Sequence, residues 1–250
     1  MRIINTFDCD GEEIIRAQDM VATVWDFPHT VLSSFSARTT NLISTLFRVE
    51  QIALCFCGFP IPILKFEYHG QTIAYYQSPI GGSASVGILE QMIAMGAKRV
   101  LFFGSAGCLD KNLTSGNLIV PVAAYRDEGT SYHYAPPSDY IEIETADKIS
   151  EIFDELNIAY CKAKTWTTDA MYRETKGNMD SRKAEGCIAV EQECASLTAC
   201  ANLRGIDIYY FLYAADCLDG KTWDTRILGN MPDDMRERVL RVALETAARL

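Results

Sequence analysis

From residue 81 onward, short apolar runs alternate with helical patterns, and this alternation narrows the folds open to the chain more than any other feature. Residues 99–103, 161–166 and 208–214 are brief stretches of branched and aromatic side chains, and 117–124 is another, with Pro121 demoting one of its edges. Between them lie helical spacings. Residues 83–95 set Val86, Leu89 and Ile93 on one face and stop at Gly96; 146–156 form a second helix; a third begins at Ala184 or Glu193 and runs to Arg204 before Gly205. The last, 232–250, opens with Pro232, Asp233 and Asp234, which suit a first turn, and sets Met235, Val239, Val242 and Thr246 along one side. Strands in alternation with helices predict an α/β layered fold, a mainly parallel or mixed central sheet flanked by helices. Ligands in such folds sit beyond the carboxyl ends of the strands. No linker or repeat interrupts residues 1–250, so a single domain is expected.

The N-terminal third is less regular. Residues 2–7 read as a strand or arm, 11–21 as a helix, 30–35 as a strand, 38–48 as a helix and 51–57 as a buried strand. Residues 63–68 and 72–77 alternate around His69-Gly70, a hairpin signal. A formal net charge of -10 argues against a nucleic-acid partner, which needs a basic stripe, but is compatible with a small, weakly charged ligand. The nine cysteines form no Cys-x-x-Cys pair, and nothing near Cys55 and Cys57 completes a zinc set, so they read as small core residues in a reducing cytoplasm, with no metal. Early acids and the lack of a long apolar run argue against a secretory leader or a membrane span.

Five constellations sit at the predicted strand and helix ends. Gly104-Ser105-Ala106-Gly107 follows a strand, and such glycines either make a tight turn or let the backbone approach an anion. The loop from Arg126 to Pro137 carries Asp127, Glu128 and His133 and is either a structured connection or part of a site. Asp169-Ala170-Met171-Tyr172-Arg173 offers an aromatic ring and a guanidinium, or a surface loop. Glu191-Gln192-Glu193 puts two carboxylates two residues apart before a small-residue helix, where they either complement the helix dipole or accept hydrogen bonds from vicinal hydroxyls. Asp216 ends an apolar strand, where an acid is expensive unless paired or used.

These segments resemble, in order, motifs of the nucleoside phosphorylase and nucleosidase superfamily. Glu191-Gln192-Glu193 is similar to its Glu-Met-Glu ribose motif, with Gln192 at the Met. Gly104–Gly107 resembles its Gly-Ser/Thr-x-Gly loop, and Gly81-Gly82 the preceding Gly-rich turn. The Arg126 loop resembles the uridine phosphorylase branch, and Asp216 the acid of purine nucleoside phosphorylases. The likeness covers roughly residues 65–250, and the first sixty match poorly. It implies cleavage of the N-glycosidic bond of a ribonucleoside, by phosphorolysis to free base and ribose 1-phosphate, with purine favoured over uridine. Glu193, Gln192 and Glu191 would then hold the ribose. Met171, Tyr172 and Arg173 would flank the base, and Asp216 would protonate it. Gly104, Ser105, Gly107 and Gly82 would hold phosphate or water. No cofactor is implied beyond phosphate as co-substrate, and a homo-oligomer, dimer or hexamer, is expected.

The sequence departs from that pattern at the anion. The family's usual arginine, three residues before the Ser/Thr, is Phe102 here; a second position falls on Phe59 or Lys65, and residues 11–16 only echo the N-terminal Gly-Asp-x-x-Arg element. Either Arg38, Arg126, Arg173 or Arg226 replaces them, or water activated by Glu12, Glu13 or Glu191 is the nucleophile, as in a nucleosidase. A non-catalytic nucleoside-binding protein is the third reading. Residues 218–231, with Trp223, are a candidate lid.

Overall fold

The computed structural model describes residues 2–250. The strands are β1 (Thr30–Ser34), β2 (Glu50–Phe56), β3 (Pro60–Tyr68), β4 (Gln71–Gln77), β5 (Arg99–Cys108), β6 (Leu118–Asp127), β7 (Tyr140–Glu142), β8 (Tyr160–Thr168), β9 (Cys187–Glu191) and β10 (Asp207–Cys217). The α-helices are α1 (Ala37–Leu46), α2 (Gly82–Met95), α3 (Ala146–Glu155), α4 (Lys176–Ala184), α5 (Cys194–Arg204) and α6 (Asp233–Ala247). All ten strands join one mixed sheet in the order β10-β6-β8-β9-β5-β1-β4-β3-β2, with β7 on β6. The expected α/β layered fold with a mixed central sheet is therefore what the chain adopts.

Because β10 also pairs with β5, the path β5-β9-β8-β6-β10 closes on itself. The sheet opens at one place that matters. β1 runs parallel to β5 only as far as Ser34 opposite Phe103, and β9 joins the same edge only at Gly107 opposite Val190. Between these limits Gly104, Ser105 and Ala106 have no strand partner on that edge, while the other edge stays paired to β10. A strand edge left open where neighbours diverge is where a doubly wound sheet admits a ligand.

Several expectations change. The Gly104–Gly107 segment is the continuation of β5 rather than a loop after it. β6 is an inner strand despite Pro121: β10 pairs with it at Leu118 and Ile119, β7 takes over at Ala123, and the pairing to β8 slips between Pro121 and Ala124. A proline fits there because the ladder is already broken. The expected buried strand over 51–57 is an exposed edge strand, β2, with Cys55 its one buried residue. The helix expected over 11–21 is only a short 3-10 turn, Ala17–Asp19, and residues 2–7 hold another, Ile3–Asn5. The hairpin around His69-Gly70 forms as expected, with both residues at positive φ. All nine cysteines are free. Among the described residues, no helix is long and apolar enough to cross a membrane and no His/Cys/Asp/Glu cluster could hold a metal.

Candidate active site

The open edge of β5 leads into a cavity of about 610 Å³. Its walls bring together Ser105 and Gly107 of β5, Asp216 of β10, Glu191, Gln192 and Glu193 between β9 and α5, and Met171, Tyr172 and Glu174 from the turn after β8. Leu218, Trp223 and Leu228 come from the loop that follows β10. The volume lies within the usual range for small-molecule sites, about 300–1,000 Å³.

Each acid is placed differently. Glu191 ends β9 and is buried. Its Oε2 accepts the N–H of Glu193 at 2.6 Å and of Cys194 at 2.7 Å, satisfying the first amides of α5. Its Oε1 accepts from the Thr167 hydroxyl at 2.5 Å and from Thr165 at 3.3 Å. Both oxygens are thus occupied within the protein, and this carboxylate caps a helix. Burial nonetheless pushes its pKa up against those hydrogen bonds.

Glu193 is equally buried, but one oxygen alone is engaged: Oε1 accepts the Gly81 N–H at 2.6 Å. Among the described residues nothing donates to Oε2, and the side chain lines the cavity. Burial, reinforced by the charge of Glu191, raises its pKa to about 8. A buried carboxyl with one free oxygen on a cavity is built to receive donors from a ligand.

Asp216 follows a slip in the pairing of β10 with β5, which sets it opposite Gly107. It is buried, and its Oδ2 accepts the Trp223 indole N–H at 2.7 Å. Burial raises its pKa, opposed by that indole bond and by Arg226. Gly107 gives it room. A Cβ there would lie 2.8 Å from Leu218 Cδ1, 2.9 Å from Val190 Cγ1 and 3.4 Å from Asp216 Oδ1. At Gly104 a Cβ would meet the Phe35 ring at 2.9 Å. These two glycines are used for close approach of side chains, since neither has positive φ.

Glu174, which the sequence does not single out, lines the cavity, its pKa raised to about 7 by burial and by Asp216. The sequence signal was only its nearness to Tyr172. Met171 and Tyr172 lie at the mouth, and the Gln192 amide approaches Met171 Sδ at 3.9 Å.

Other candidates fall elsewhere. Gly82 is buried against Ser196, whose Oγ would sit 2.3 Å from an added Cβ, and does not line the cavity. Arg173 is exposed outside it. Arg126 is buried and spent on its own loop, donating to Ser131 Oγ at 2.7 Å, Pro136 O at 2.6 Å and Ser138 Oγ at 3.0 Å. Arg226 is held by Asp224 and by the carbonyls of Leu113 and Lys111. Arg38 and His133 are exposed and line no wall of this cavity. Glu13 bonds Arg204 at 2.8 Å, and neither it nor Glu12 reaches the cavity. Phe102 is a core ring, with the Phe35 and Tyr210 rings each at 6.1 Å.

The chain is 28% identical over 203 residues to the uncharacterized protein R802 of Acanthamoeba polyphaga mimivirus, covering 72% of this chain and 80% of that one. It is 27% identical to the uridine phosphorylase of Thermococcus kodakarensis over 56% of each chain, so the match spans little more than half of that relative's length. Its fold superposes on the purine nucleoside phosphorylase of Toxoplasma gondii, solved with immucillin-H, with a TM-score of 0.75 and 18% identity over 96% of this chain and 97% of that one. Residues 57–250 match the Phosphorylase superfamily, and the chain belongs to that family.

Proposed function

We propose that this protein cleaves the N-glycosidic bond of a ribonucleoside by phosphorolysis, releasing the base and ribose 1-phosphate. The observation that carries the reading is the pair of buried carboxyls on one cavity: Glu193 with a free oxygen, and Asp216 on β10 opposite Gly107. Glu193 accepts the 2′- and 3′-hydroxyls, with Gln192 against the sugar. Asp216 gives its proton to the leaving base. Met171 and Tyr172 cover the base face, and Glu174 faces its edge. Ser105, with the unpaired edge around it, lies on the nucleophile's side of the sugar.

The reaction balances without a cofactor. A phosphate oxygen forms a bond to C1′ as the glycosidic bond breaks, the bonding pair leaves with the base, and the Asp216 proton neutralises it. Charge develops on the sugar in an oxocarbenium-like transition state, which the incoming anion and the Glu193 carboxylate stabilise. An acid whose hold on its proton is strengthened by burial suits a base with a basic ring nitrogen, which favours purine over uridine. The exposed apolar side chains Leu54, Phe56 and Phe59 on β2 and the β2–β3 turn support a homo-oligomer.

The core Phe102 favours a second reading, a nucleosidase, since no guanidinium comes from that position. Base release from inosine, adenosine, guanosine, uridine and methylthioadenosine, with and without phosphate, separates the two. Phosphate-dependent release supports phosphorolysis, phosphate-indifferent release supports the nucleosidase, and no release from any of them counts against both.

A further inference from the structure

A second, smaller cavity of about 60 Å³ adjoins the first at Phe35 and Ser105, and Arg236 forms one wall. A single water needs about 10–15 Å³ of such space, so this cavity is on the scale of a tetrahedral oxyanion. Its polar lining is Ser34, Ser36, Thr39, Ser105, Tyr213 and Arg236, and no carboxylate lines it.

Arg236 is unusual. It sits in the first turn of α6 and its side chain is only 9% exposed. Nη2 donates to the Met231 carbonyl at 3.1 Å and Nη1 to Ser36 Oγ at 3.3 Å. Nε is fully buried with no hydrogen-bond partner. The nearest carboxylate, Asp233, stands 3.8 Å from Nε, beyond hydrogen-bond reach, with its own side chain 96% exposed. A guanidinium has five N–H donors and stays charged, so a buried one that lines a cavity, with acceptors for only two of them and no carboxylate within hydrogen-bond reach, calls for an anion. The first turn of α1 adds to the positive field, because Ser36 caps it and Thr39 lies within it.

We propose that this cavity is the site of the anionic nucleophile, an inorganic phosphate held by Arg236 from the C-terminal helix, with Ser36 and Ser105 as hydroxyl partners. The proposal rests on the phosphorolysis reading above and supplies the guanidinium that Phe102 does not. Arg38, Arg126, Arg173 and Arg226 each lie outside this cavity. The shared Phe35 and Ser105 place the anion at the junction of the two cavities, the larger of which Glu193 lines.

The test combines steady-state kinetics with direct titration of inorganic phosphate into wild type, Arg236→Gln, Arg236→Lys and Ser105→Ala, with circular dichroism as the check on folding. Loss of a charge-assisted pair predicts that Arg236→Gln raises the KM for phosphate and its Kd roughly tenfold to a hundredfold. The KM for nucleoside stays within about twofold, since Arg236 does not line the larger cavity. Arg236→Lys recovers part of the phosphate affinity, and Ser105→Ala weakens it less than Arg236→Gln does. A folded Arg236→Gln with unchanged phosphate KM and Kd overturns the proposal and leaves phosphorolysis standing. Should Arg236→Gln not fold, unchanged phosphate affinity in both Arg236→Lys and Ser105→Ala overturns it. Should wild type release base without phosphate, the phosphorolysis reading fails, and the titration decides the anion site alone: Arg236-dependent phosphate binding retains it, and no binding removes it.

Discussion

Binding of a nucleoside should expel a proton from Glu193. In the free protein this carboxyl titrates at about 8, because burial and the neighbouring Glu191 disfavour its charge. At pH 7 it is therefore roughly 0.9 protonated. Two ribose hydroxyls donating to it favour the ionised form and pull its pKa down. A return to the ordinary carboxylate range releases roughly 0.9 proton per nucleoside at pH 7, and a bound value near 6 still releases about 0.8. The sign follows from linkage. The ligand prefers the ionised carboxyl, so affinity rises with pH through the window between bound and free pKa and levels off above about 8. The free protein shows the opposite trend. The unfolded chain ionises Glu193 near its ordinary value while the folded chain holds the proton, so this group's contribution to stability is complete at low pH and is lost as pH rises towards about 8. Calorimetric titration with a C-nucleoside, whose carbon–carbon linkage does not cleave, in buffers of different protonation enthalpy counts the protons. Glu193→Gln removes the release, which separates it from any contribution of Glu174. Wild-type binding with no proton release, or equal release from Glu193→Gln, refutes the argument.

Other perturbations have distinct signatures. Asp216→Asn removes the proton donor while leaving a hydrogen-bonding side chain for Trp223, and should lower kcat by about 10²–10⁴ with little change in nucleoside KM, measured by base release. Gly107→Ala drives a methyl against Leu218, Val190 and Asp216 and should cost about 1–3 kcal/mol in denaturant unfolding, with loss of activity beyond what the remaining folded protein explains. Glu191→Ala uncaps α5 and strands two amides and the Thr167 hydroxyl, so it should lower stability by about 2 kcal/mol or more in the same assay.

The sheet and its helices were legible wherever burial imposed a period. α2 and α6 follow from their apolar faces, and the β3–β4 hairpin from His69-Gly70. α4 was invisible because it buries only Met179; its signals were local, the Thr175 cap and the basic last turn of Arg182 and Lys183. β9 is five residues long and too short to show alternation. The acids of the site were legible as expensive residues in apolar surroundings, but the sequence could not divide them, since Glu191 and Glu193 differ only in which groups the fold brings to them. Long-range topology also hid the open edge of β5, which exists because β1 ends at Ser34 and β9 arrives at Gly107. Arg236 left one trace: a lone arginine three and four residues before Val239 and Leu240, on the buried face of α6.

Phosphorus NMR of the protein with inosine and inorganic phosphate reads the transfer of a ribosyl group to phosphate in a single experiment. Ribosyl transfer gives a new phosphate-monoester resonance that grows in step with free base. Base release with no new phosphorus resonance, or a resonance that grows equally in Asp216→Asn, contradicts it.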